Sequence, residues 1–159
     1  MVEFVLVLPV LMILIMGTVE FARLLAVYTV VNASSREAAR YGAGVGDTGV
    51  GTKNRYQDCT GIIAAANRIS RSFISLDSIV IEYDQGPGTA LITPVGCAPP
   101  AAQVRLGTRI IVRVTATYRP IVPLIPVGPI TLMSETKRTV ITDVILGFLN
   151  VAKTAPTTE

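Results

Sequence analysis

The chain contains no histidine and no tryptophan, has two cysteines, and is poor in charge, with 16% Asp, Glu, Lys and Arg. Soluble domains usually carry about 25% charged residues. Without histidine, the commonest general base and the commonest metal ligand are both missing. Cys59 and Cys97 cannot close a four-ligand zinc site by themselves, and they do not form a CxxC motif. Low aromatic content argues against an aromatic-lined recognition module. The lysines and arginines form no run of five or more, so a net charge of +3 and a sequence pI near 9.1 describe a mildly basic protein without a nucleic-acid patch.

Catalysis is not expected. Ser34 and Ser35 fall within a long helical pattern with no nucleophile-elbow context. The carboxylates Asp47, Asp58, Asp77, Glu82, Asp84, Glu135 and Asp143 are spread over loops and wet faces without acid–base pairing. Asp47 and Asp58 lack the spacing of a calcium loop. No cofactor, metal site or enzymatic activity is therefore expected.

What the chain has in excess is apolar surface, concentrated at one end. Phe4 to Val19 carries no charged residue, with Glu3 on one side and Glu20 and Arg23 on the other. A signal-peptide core is shorter, follows basic residues and precedes a small-residue cleavage site, none of which is seen here. The pattern predicts one helix from about Val2 to Tyr41, roughly 60 Å long at 1.5 Å per residue, which is twice the thickness of a hydrocarbon core. It is apolar all round up to Gly17. From there an apolar stripe of Phe21, Leu24, Leu25, Tyr28, Val31, Ala38 and Ala39 is expected to carry a soluble domain. Glu20 and Arg23, three apart, are expected to pair on the other face. Pro9 should loosen the helix near Val5, and Gly17 is a second weak point. Glu3 admits two readings: a carboxylate in the headgroup region near a helix N-terminus, or a partner for the α-amino group of a neighbouring subunit.

Beyond the helix, Gly42, Gly44, Gly46, Gly49 and Gly51 read as a helix-closing loop. A phosphate-cradling loop would follow a strand, and this one follows a helix. A short helix is expected over Ile62–Phe73, a strand over Ile79–Asp84, a second short strand over Leu91–Val95, a long strand over Val104–Tyr118 and a last one over Ile130–Ile141. On the long strand, Leu106, Ile110, Val112, Val114, Ala116 and Tyr118 should face the core. Arg105, Arg109 and Arg113 should form an outer row, either solvated, against a neighbouring subunit or open to an anion. Pro120, Pro123, Pro126 and Pro129, every third residue, describe a stiff extended connector. Val144–Val151 is short and apolar, and Lys153–Glu159 reads as a frayed tail. If the body lies outside the cytoplasm, a Cys59–Cys97 disulfide is the natural reading, with two buried free thiols as the alternative.

The first 43 residues resemble the N-terminus of the TadE-like pilin family of tight-adherence (Tad) pili. The resemblance is carried by Val2-Glu3-Phe4, Leu6-Val7-Leu8-Pro9, Glu20-Phe21-Ala22-Arg23 and the segment Ser35–Tyr41, in that order and at the family's spacing. It implies a leader removed by a prepilin peptidase, a subunit held in the inner membrane, and extraction into a filament by an assembly platform. Glu3 would be the acidic residue that neutralises a neighbour's terminal amine. This sequence shows no basic leader and no Gly before Glu3, and the family's Glu usually falls a few residues further into the mature chain, so the cleavage site stays open.

These readings combine into an α+β, type IV pilin-like architecture: a long N-terminal helix with an apolar first half, packed by its second half against a small antiparallel sheet. Residues 1–43 would be the membrane and filament-core helix, 44–150 the globular domain and 151–159 a flexible tail. The expected function is a structural subunit of an extracellular Tad-like pilus, polymerising through its helix and contributing to surface adhesion or motility. Its expected partners are copies of itself and other pilus components. Glu3, Phe4, Pro9, Gly17, Glu20 and Arg23 are the expected assembly residues. The rival readings are a single-pass, membrane-anchored binding or adhesion protein and a minor pseudopilin of a secretion system.

Overall fold

A computed structural model describes residues 2–46, 48, 53–71, 74–92, 97–99, 101–121 and 128–141, with the backbone alone for Val2, Glu3 and Ala101. Helix α1 spans Val2–Gly42 and runs unbroken through Pro9. A 3-10 turn (Arg55–Gln57) leads into α2 (Cys59–Ser70), and strands β1 (Ser78–Asp84), β2 (Leu91–Ile92), β3 (Arg109–Tyr118) and β4 (Ile130–Thr139) follow. They form one antiparallel sheet in the order β2-β1-β3-β4, with Ile81 beside Val112 and Val112 beside Thr136. The architecture is thus α+β: a long apolar helix whose second half lies on a small antiparallel sheet, as a pilin-like fold requires.

The second half of α1 lies on one face of the sheet, against β3 and β4, and α2 packs along α1. The core between them holds Val31, Ala38, Ala39, Ile62, Ala66, Ile81, Tyr83, Ile110, Val112, Val114 and Ala116. Small residues set the close approach. A Cβ on Gly42 would stand 2.4 Å from Ile110 Cδ1 and 3.1 Å from Ile62 Cδ1, both on fully buried side chains. Where the sheet turns polar, α1 meets it with polar groups: the Ser35 hydroxyl lies 3.0 Å from that of Ser134 and 2.9 Å from that of Thr136, and Ser134 donates to Asn32 Oδ1 at 2.7 Å. Tyr83, fully buried, donates to the Tyr56 carbonyl at 2.5 Å, and burial pushes its phenol well above the usual range.

Several expectations are corrected. Of the expected stripe, Leu24, Val31, Ala38 and Ala39 do face the domain, whereas Phe21, Leu25 and Tyr28 do not and are 61%, 46% and 51% exposed. The domain-bearing face of α1 runs through Glu20, Arg23, Leu24, Val27, Val31, Ser34, Ser35, Ala38 and Ala39, so the Glu20–Arg23 pair lies towards the domain. The helix docks with Leu24, Val27 and Val31 together with small and polar residues, and leaves Phe21, Leu25 and Tyr28 outside. Helix α2 begins three residues earlier than expected because Asp58 caps it, accepting from the Gly61 N–H at 3.0 Å. The other Asp58 oxygen accepts from the Tyr41 hydroxyl at 2.7 Å, which ties the start of α2 to the end of α1. Val104–Thr108 is not strand: Gly107, at φ +93°, turns the chain, Thr108 Oγ1 accepts from the Arg105 N–H, and Leu106 is 92% exposed rather than in the core. The outer arginine row is also dismantled, since Arg105 falls in this turn while Arg109 pairs with Asp84 and Arg113 with Glu82 and Glu135. Phe73, Pro123, Pro126, Val144–Val151 and residues 151–159 lie outside the described residues.

Asp84 was expected on a wet face and is instead buried, because Arg109, its partner in register, donates to it at 2.7 and 2.6 Å. These bonds, and one from the Gly86 N–H, hold its carboxyl below the ordinary value against the opposing effect of burial. A depressed folded-state pKa stabilises above the unfolded value and is lost as pH falls through the folded one. Thermal melts should therefore show the wild type losing stability as the pH drops below about 4. Asp84→Asn should cost about 1–3 kcal/mol at neutral pH and flatten that acid limb. An unchanged acid limb in the variant would show that the pair contributes nothing.

Candidate functional site

The largest uncovered apolar surface is the first half of α1. Phe4 to Met16 and Val19 are exposed, Phe4 itself 69%, and none packs on the domain. Such a surface is far beyond what a soluble monomer leaves in water, and the helix is long and apolar enough to cross a membrane. Pro9 sits within the unbroken helix, and a Cβ on Gly17 would meet nothing within 4 Å, so the rod is open there on all sides. Next to it the Thr18 hydroxyl donates back to the Leu14 and Ile15 carbonyls. The side chain of Glu3 lies outside the described residues; its backbone belongs to α1.

Of the six expected assembly residues, the structure brings Glu20 and Arg23 together and strings the other four along the rod. Glu20 marks the point where α1 acquires a domain. Its carboxylate accepts from the Tyr118 hydroxyl, from the Ile121 N–H at 3.0 Å and from Arg23 at 3.3–3.4 Å, and its carbonyl accepts from Tyr118 at 3.2 Å. Arg23 also stands over the Tyr118 ring, 5.7 Å from the centroid. Burial, then the Glu20 carboxylate, push the Tyr118 phenol up. A charge at the end of an apolar rod is tolerated because three donors satisfy it. The arrangement clamps the C-terminal end of β3 against the helix at this level.

Tyr118 and the Ile121 N–H were not foreseen as site groups. Tyr118 was read as a core residue of β3, and nothing local in the sequence links it to Glu20, 98 positions away. At the other end of the domain, Cys59 and Cys97 form a disulfide with Cα atoms 6.0 Å apart, as expected for an exported body. Among the described residues no group of three or more Cys, Asp or Glu converges as a metal site would require.

Residues 1–40 match the family model described as TadE-like protein. No curated protein and no solved structure matches the chain. The matched residues are the exposed apolar rod, the Glu20–Arg23 pair and the helical stretch that docks on the sheet, so this N-terminal module is similar to that of TadE-like proteins.

Proposed function

We propose that the chain is a structural, non-catalytic subunit of an extracellular Tad-like pilus that waits in the inner membrane and then polymerises through its N-terminal helix. The observation that carries this is the exposure of every large apolar residue from Phe4 to Val19 on a helix that continues without a break into the folded domain. In lipid that surface is satisfied, and there helices associate without hydrophobic drive. Once extracted towards water, it is satisfied only by other copies, and burial at ~25 cal/mol per Å² becomes strongly cohesive. The free stripe of Phe21, Leu25 and Tyr28 prolongs the sticky face beyond the lipid, opposite the domain. In such a bundle an unpaired carboxylate is costly, so Glu3 sets the axial register by pairing with a neighbour's terminal amine. A prepilin peptidase and an assembly platform complete the pathway, and the filament serves adhesion or motility.

The test is Glu3→Ala, scored by electron microscopy and immunoblotting of filaments sheared from cells. The variant should be made and inserted in the membrane at wild-type level, with sheared polymer lost. Wild-type yields of polymer from the variant would leave a tethered surface domain as the better account, and a few copies per assembly would indicate a pseudopilin.

A further inference from the structure

Beside the Glu20 clamp lies an open cavity of about 440 Å³, walled by Arg23 and Val27 of α1, by Ile74 and Asp77 ahead of β1, and by Tyr118 and Arg119 at the end of β3. Its depth relative to a membrane follows from the helix. Arg23 stands 19 residues beyond Phe4, roughly 28 Å along the axis at 1.5 Å per residue, against a hydrocarbon core of ~30 Å. If Phe4 lies at one edge of the core, the cavity opens at headgroup depth on the other. Beside the clamp, Ile121 is 70% exposed, as suits a group at that depth. Tyr118 supplies the apolar ring and polar tip favoured at that depth.

The charges indicate what the cavity takes. Arg119 is exposed and makes no ion pair or side-chain hydrogen bond among the described residues. Arg23 uses only Nη1 on Glu20 and keeps the rest of its fork. Two guanidiniums thus border one cavity with donors to spare, and guanidinium is well shaped for phosphate oxygens. Asp77 is the one carboxylate in the wall; it opposes an anion against it and suits an ammonium. Val27 and Ile74 offer an apolar surface for the start of an acyl chain.

We propose that this cavity holds the phosphodiester of a glycerophospholipid from the membrane that α1 crosses, bridged by Arg23 and Arg119. The proposal rests on α1 spanning that membrane, and not on the filament. Arg119 is the discriminating residue because, unlike Arg23, it supports no other contact. Arg105, in the turn at the opposite end of β3, serves as a control for net charge.

The experiment is native mass spectrometry of the full-length protein released from nonionic micelles doped with phosphatidylglycerol or with diacylglycerol, with and without millimolar inorganic phosphate. The wild type should retain phosphatidylglycerol and not diacylglycerol, and inorganic phosphate should not displace it. Arg119→Gln should retain about tenfold less, while Arg105→Gln matches the wild type. Equal retention by Arg119→Gln overturns the proposal. So does equal loss in Arg105→Gln, which would mean diffuse charge, or displacement by inorganic phosphate, which would mean a free-anion site. A wild-type chain that stays out of micelles altogether overturns both the cavity and the membrane reading, whereas a micelle-bound chain indifferent to Arg119 overturns the cavity alone.

Discussion

Breaking the Cys59–Cys97 bond, by reduction or by the double change Cys59→Ala and Cys97→Ala, is expected to cost the domain roughly 3–4 kcal/mol for a crosslink spanning 38 positions. Against a total of about 5–15 kcal/mol, that is a large share. The reason lies in what the bond joins. Cys59 is the first residue of α2, one position after the Asp58 cap that is itself tied to Tyr41. Cys97 lies on the connection between β2, which is two residues long, and β3. Among the described residues, the other anchors of that connection are a bridge at Ala98, the buried Pro99, Val104 against the core and the turn at Thr108. For a domain of about 100 residues the midpoint should fall by roughly 15–20 °C, read by circular dichroism with and without reductant. Protein taken from cells should show both cysteines protected from alkylation until reduced. A midpoint insensitive to reductant, or free thiols in the native protein, would mean that the domain neither needs the bond nor is exported to form it.

The sequence was most legible where one physical signal acts alone. The length of α1 and its apolar first half follow from an uncharged run that nothing interrupts, and β3 and β4 follow from alternation. The docking face was only half legible: Val31, Ala38 and Ala39 are on it as expected, but hydropathy weighs Phe21, Leu25 and Tyr28 above Ser34, Ser35 and Gly42. In a helix that must lie close on a sheet, small volume decides instead. Leu106 fits the alternation of β3, but the Gly107-Thr108 turn breaks the strand before it. Asp84 looks like an ordinary outer-face acid until register sets it beside Arg109. The Glu20 clamp was half legible: its pairing with Arg23 is local, whereas Tyr118 and Ile121 reach it only through the tertiary fold.

Deleting residues 2–17 should turn a membrane protein into a soluble one without loosening its domain. Thirteen large apolar side chains between Phe4 and Val19 are exposed, and their transfer from water is worth on the order of 20–30 kcal/mol. None of this supports the domain, because packing on α1 begins only at Glu20. The shortened helix would start at Thr18, whose hydroxyl suits a helix N-cap, and would keep the Glu20 clamp, the Ser35–Ser134 contact and the Ala38–Ala39 face. The expected result is a thermal midpoint within about 2 °C of the full-length protein in micelles, recovery in the aqueous phase after detergent partitioning, and no entry into sheared filaments. A truncated domain that unfolds would show that the rod is part of the fold and not an appendage for lipid or for other copies. One that still enters filaments would show that the sheet domains hold the polymer and that the helix serves only as a tether.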